Sequence, residues 1–165
     1  MSAGTGGAAR LSALSLHISA LIITACSVMP KESVAPLRGR LELDVEPNPI
    51  VATPVGGNWY ELHFDIIMRE AGGVDVRIED FTVDTLALKA IPVRSQTFPA
   101  KFITDRGYPD AIQAGKYLRF AFTRRWPLPT ELLLTGAAAR ITARTIDANG
   151  ARGETTIRVG VRVGT

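Results

Sequence analysis

Between Trp59 and Arg69 the chain reads WYELHFDIIMR, and this stretch limits the available folds more than any other. Successive side chains of a strand point to opposite faces, so Tyr60, Leu62, Phe64, Ile66 and Met68 share one face. Trp59, Glu61, His63, Asp65, Ile67 and Arg69 share the other. A helix would scatter both sets around its axis. The stretch is therefore expected to be the central core strand of a sheet with one buried face.

The neighbouring segments supply its partners. Leu41, Leu43 and Val45 alternate with Arg40, Glu42, Asp44 and Glu46 until Pro47-Asn48-Pro49, which ends the strand. Proline cannot donate to a ladder and sits at edges and switches, so Ile50-Val51-Ala52 is expected to resume pairing on the opposite sheet. Gly56-Gly57-Asn58 and Glu70-Ala71-Gly72-Gly73 are turns, and Val74, Val76 and Ile78 begin a returning strand. Phe81 to Ile91 holds one or two further short strands. From Pro92 to Gly115 only turn signals are legible, at Arg106-Gly107-Tyr108-Pro109 and Ala114-Gly115. Alternation returns over Tyr117 to Thr123, with Leu118, Phe120 and Phe122 facing inward. Arg124-Arg125-Trp126-Pro127-Leu128-Pro129 is expected to be a crossing loop.

The last hairpin is specific enough to fix a register. Asp147-Ala148-Asn149-Gly150-Ala151 suits a three-residue loop with Gly150 in the left-handed conformation. Pairing Asp147 with Ala151 sets Ala139 opposite Val159, Ile141 opposite Ile157 and Thr142 opposite Thr156. It also sets Arg144 opposite Glu154 and Arg140 opposite Arg158. A two-residue loop would bring Arg140 onto the face of Ile157, which the one-sided pattern forbids.

About seven short strands joined by Gly and Pro turns, with no helix of ordinary length after Cys26, give an all-β fold class. Over residues 40–164 the chain resembles the immunoglobulin and fibronectin type III class, an antiparallel two-sheet sandwich. The Cys and Trp marks of antibody-type domains are absent, so the resemblance concerns architecture alone, and fold does not carry function.

Ahead of this domain stands a leader. Arg10 is the only charged side chain before Leu11, and Leu11 to Ala25 contains no permanently charged residue. That stretch is shorter than the roughly 20 residues of a membrane span, which favours a cleaved signal. Ile23-Thr24-Ala25-Cys26 resembles the lipobox of bacterial lipoprotein precursors. The resemblance implies cleavage after residue 25 and a mature N-terminus at Cys26 carrying a diacylglycerol thioether and an N-acyl chain. Two or more chains anchor stably where one alone does not. Ser27 is not the Asp that favours inner-membrane retention in enterobacterial lipoproteins, which allows the outer membrane as well as the periplasmic face generally. The organisation expected is thus signal peptide 1–25, lipid-anchored linker 26–39 and β-sandwich domain 40–165.

Composition narrows the chemistry. Of the 19 Lys and Arg only Arg10 leaves with the leader, so 18 remain against 16 acidic side chains, too slight an excess to argue for nucleic acid. The single Cys lies in the lipobox, leaving no thiol for a disulfide, a nucleophile or a thiolate metal site. His63 and Asp65 share a face two residues apart, and a periplasmic enzyme or metal carrier using them is the rival reading. No paired-His or nucleophile-elbow motif accompanies them. Asp147-Ala148-Asn149-Gly150 lacks the later ligands of a calcium loop.

Two basic groups remain as binding surfaces. Arg140 opposite Arg158 is a like-charge pair that wants a reason, and with Arg162 it forms a strip for an anionic partner or a soluble, edge-protecting face. Arg124, Arg125 and Trp126 either combine donors with an aromatic surface, the residue types that dominate binding hot spots, or place Trp126 over the end of the core with the arginines solvated. The sequence thus leads to a lipid-anchored cell-envelope module without catalysis, metal or cofactor. Beyond the membrane held by Cys26, its expected partner is an envelope protein, a glycan or an anionic surface.

Overall fold

A computed structural model describes residues 37–88, 90–127 and 136–164. The leader, Cys26 and most of the expected linker lie outside the described residues. The elements are β1 (Leu41–Gly56), β2 (Trp59–Glu70), β3 (Val76–Ala87), β4 (Ile91–Pro99), α1 (Ala100–Thr104), β5 (Ala111–Ile112), β6 (Tyr117–Pro127), β7 (Ala138–Asp147) and β8 (Arg152–Val163). Among the described residues the domain is all-β apart from the helical turn α1.

The strands follow one hydrogen-bonded path, β4-β3-β7-β8-β1-β2-β6, with β5 beside β3. β8 joins its two halves. Its residues from Arg152 to Gly160 pair antiparallel with β7, and Val161 to Val163 then pair parallel with Ile50 to Ala52 of β1. The prolines do not end the strand as expected: β1 runs through them to Gly56, its pairing with β2 lapsing between Glu46 and Val51 and then resuming, while Ile50 to Ala52 also pair with β8 of the other half. In place of two separate sheets there is a continuous one that curls until its halves face each other. Phe81 of β3 lies 5.8 Å from Phe120 and 6.0 Å from Phe122, both on β6.

The core has the predicted faces. Tyr60, Leu62, Phe64, Ile66 and Met68 are buried, as are Leu118, Phe120 and Phe122. β2 is central to this core but lies next to the edge strand β6 in the sheet. β3 runs unbroken from Val76 to Ala87, and a bulge between Ile78 and Asp80 makes Glu79 the extra residue. That residue changes the parity, so Val76, Ile78, Phe81 and Val83 all face inward.

Two ends can be told apart by register. Leu41 pairs with Glu70 and Val76 with Asp147 at one end. At the other lie the Gly56–Trp59 turn, Pro127, the Ala87–Ile91 turn and Val163.

Candidate functional site

Arg124, Arg125 and Trp126 belong to a strand and not to a loop. They pair with Leu62, Glu61 and Tyr60, and Pro127 pairs with Trp59. β6 is an edge strand with a partner on one side only, where a terminal proline costs little. Alternation then divides the three residues. Arg125 points outward and its Nε donates to Glu61 Oε2 at 2.7 Å. Trp126 points inward and is 2% exposed, and the Arg124 guanidinium lies 5.7 Å from the centre of the Phe98 ring. The three residues thus form no common surface patch. Leu128 and Pro129 lie outside the described residues.

The final hairpin has the predicted register at every position named above, with Asp147 N–H donating to Ala151 O and Gly150 at φ 82°. Arg140 and Arg158 do stand opposite each other, and Asp84 on β3 accounts for the like charges. Arg140 donates to Asp84 Oδ2 through Nε at 2.8 Å, with Nη2 at 2.7 Å from the same oxygen. Burial would push the Asp84 carboxyl up, but hydrogen bonds from Ser95 and Arg140 outweigh it and hold the group below its ordinary range. Arg144 takes a bidentate grip on Asp80, 2.9 Å from Nε to Oδ1, although Glu154 is its cross-strand neighbour on β8. Both guanidinium groups therefore lean from β7 toward β3. Arg158 and Arg162 remain exposed, Arg162 opposite Val51.

Between the two Arg–Asp rows runs a row of threonines, Thr97, Thr82, Thr142 and Thr156, across four neighbouring strands. Their hydroxyls bond in pairs, Thr82 to Thr97 at 2.8 Å and Thr142 to Thr156 at 2.9 Å. This outer face is polar and largely satisfied within itself.

His63 and Asp65 do not form a dyad. The His63 Nδ1 lies 2.7 Å from Thr123 Oγ1, whereas Asp65 accepts from Arg119 at 2.8 Å. Arg119 also donates to Glu46 at 2.7 Å. Hydrogen bonds to the Asp65 and Glu46 carboxylates raise the Arg119 guanidinium above its ordinary pKa. Among the described residues no group of three His, Cys, Asp or Glu side chains could hold a metal ion.

Two carboxylates that sequence reasoning missed hold the point where the chain enters the domain. Glu70 is 1% exposed and accepts backbone N–H donors from Arg40 at 3.2 Å, Gly73 at 3.0 Å, Gly115 at 2.9 Å and Gly72. Burial opposes its charge, yet these donors lower its pKa to about 2. Asp147 accepts from Gly39 at 3.0 Å, Asn149 at 2.9 Å and Ala151 at 2.8 Å, and those bonds hold it below its ordinary range. Asn149 also donates to Leu37 O at 3.1 Å. Residues 37–39 of the expected linker are thus bonded to the domain. Gly72 is required by space, since a Cβ there would lie 1.9 Å from Arg38 O, whereas Gly73 and Gly115 take the left-handed conformation at φ 83° and 71°. A signal was present in the sequence: Glu70 and Asp147 continue the inward series of β2 and β7, which puts a carboxylate on the core face of each.

No family model and no curated protein matches the chain. Solved structures do. The protein designated ApaA from Bordetella pertussis is similar with a TM-score of 0.53 and 14% identity, over 76% of this chain and 98% of that one. A Northeast Structural Genomics Consortium target known from its X-ray structure is similar with a TM-score of 0.50 and 10% identity, over 74% of this chain and 86% of that one. At such identities the likeness establishes a shared fold and nothing about activity.

Proposed function

We propose that the protein is a lipid-anchored, envelope-located module, the two halves of its curled sheet stacked in an immunoglobulin-like manner, that binds or positions a partner without catalysis. The observation that carries this reading is the placement of the two ends. Leu37 to Arg40 is bonded to Glu70 and Asp147 at one end of the domain. Exposed Val55, Trp59, Leu88, Ile91, Val93 and Val163 belong to turns and strand termini at the other, against exposed Leu37 and Tyr117 at the first. A tether through Cys26 would hold the first end toward the membrane and turn the second outward. Apolar side chains gathered at an outward end suit a protein partner. The polar rows of the β3–β7 face, with Arg158 and Arg162 beyond them, suit a glycan or an anionic surface.

Metabolic labelling with palmitate tests the anchor. The wild-type chain is expected to take up label in a globomycin-sensitive manner and to sediment with membranes, and Cys26→Ala to do neither. An unlabelled wild-type protein that stays in the soluble fraction sinks the proposal.

A further inference from the structure

Three buried side-chain polar atoms lack a hydrogen-bond partner among the described residues: Thr85 Oγ1, Gln96 Oε1 and Trp126 Nε1. Buried polar groups are satisfied in the great majority of cases, and each exception asks for a cause. The register sets all three on inner rows of β3, β4 and β6 toward the Trp59 end.

The register shows where. In the β3–β4 ladder Phe81 pairs with Phe98, Val83 with Gln96 and Thr85 with Arg94, and cross-strand partners share a face. Gln96 and Arg94 therefore continue the inner row that starts at Phe98. On β6 the corresponding row is Phe122, Arg124 and Trp126. The two rows meet across the open seam between the sheet's edge strands, β4 and β6. Phe98 lies 5.3 Å from Phe122, and Arg124 reaches over the Phe98 ring. Beyond that contact, toward the Trp59 end, Gln96 and Arg94 line one edge of the seam, Arg124 and Trp126 the other, and Thr85 stands behind them.

The chemistry of this set is one-sided. An indole N–H and a guanidinium donate and never accept, a hydroxyl can donate, and the Gln96 amide can turn its NH₂ inward. No carboxylate lies on these inner rows, because Asp84 points to the opposite face and bonds Arg140. None of the ion pairs among the described residues uses Arg94 or Arg124.

We propose that the seam between β4 and β6 binds a phosphate group, with Arg94 and Arg124 as its charged partners and Trp126 and Thr85 as buried donors. Two guanidinium groups match the charge of roughly −2 that a phosphomonoester carries near neutrality, where a carboxylate would offer half of it. The free anion and a phosphomonoester on a lipid or glycan present the same chemistry to these donors. This inference deepens the binding-module reading but does not depend on the anchor, since Cys26 acylation can fail while the seam still binds.

Trp126 supplies its own probe. The full chain in detergent micelles, carrying Trp59→Phe so that Trp126 alone emits, is titrated at constant ionic strength with inorganic phosphate, glycerol phosphate and acetate. A saturable change in emission with either phosphate species, and none with acetate, is expected. Tighter binding of glycerol phosphate assigns the site to a phosphomonoester, and tighter binding of inorganic phosphate assigns it to the free anion. Arg94→Gln with Arg124→Gln is expected to weaken binding at least about tenfold at an unchanged circular dichroism spectrum. Should that pair fail to fold, Arg94→Lys with Arg124→Lys keeps both charges, loses the forked geometry and is expected to bind measurably less tightly. An absent or non-saturating response, an equal response to acetate, or undiminished affinity in folded arginine variants overturns the proposal.

Discussion

Glu70 ends an inward series of otherwise apolar residues on β2, and it is ionised there because four backbone N–H groups converge on it. Glu70→Gln offers one acceptor where there were two and turns an NH₂ toward those donors. It should cost about 1–3 kcal/mol in urea unfolding at neutral pH, with the denaturant slope unchanged. The pH dependence has a definite sign. The folded-state pKa of about 2 lies below the ordinary 4.5, so the contribution of Glu70 is fully present above about 4.5 and is lost as pH falls from there through about 2. Wild-type stability should fall over that window more steeply than that of Glu70→Gln. A wild-type and variant pair with parallel acid profiles would remove Glu70 as the cause. Parity alone made this residue legible, because a carboxylate at an inward position before two glycines must find donors. Which donors come to it was not legible, since Gly115 and Arg40 are distant in sequence.

At the scale of elements, the best-read and worst-read strands differ in what the sequence records. The β7–β8 register was legible because the turn, the apolar pairs and the facing threonines all agree on it. The end of β6 reads as a loop in the sequence because Pro127 weighs against pairing, although an edge strand needs its hydrogen-bonding groups on one side only. β4 is not legible in the sequence. Only Phe98 along it is buried, so it lacks the alternation that marks a strand with a core face. β3 carries its information in a single extra residue. Deleting Glu79 shifts the parity of one half of the strand, setting either Val76 and Ile78 or Phe81 and Val83 on the outer face. The deletion variant should therefore lose the cooperative unfolding transition, whereas Glu79→Ala, which removes only an exposed ion pair with Arg152, should stay within about 0.5 kcal/mol of wild type. Circular dichroism melting distinguishes the two outcomes.

Across the whole molecule, the halves of the sheet are joined by a short stretch. Three residue pairs, Ile50 with Val161, Val51 with Arg162 and Ala52 with Val163, form the backbone ladder between β1 and β8, supported by Gly164 N–H donating to Ala52 O and by Thr155 Oγ1 donating to Leu41 O at 2.8 Å. The sequence showed a strand switch at the prolines but not its partner, because a parallel pairing of chain-distant segments leaves no turn to mark it. Removing residues after Gly160 should leave the β7–β8 hairpin protected from hydrogen exchange while Ile50 to Ala52 lose protection. Equal protection in the truncated and full chains would show that the junction does not depend on these residues. The same junction decides how the domain carries a load. The described chain starts at one end beside Glu70 and finishes at the other beside Ala52, so a pull applied between its two termini draws β1 and β8 past each other along their length. The junction bonds then bear the tension together in shear, and a tethered copy holding a partner should yield all at once instead of unzipping bond by bond.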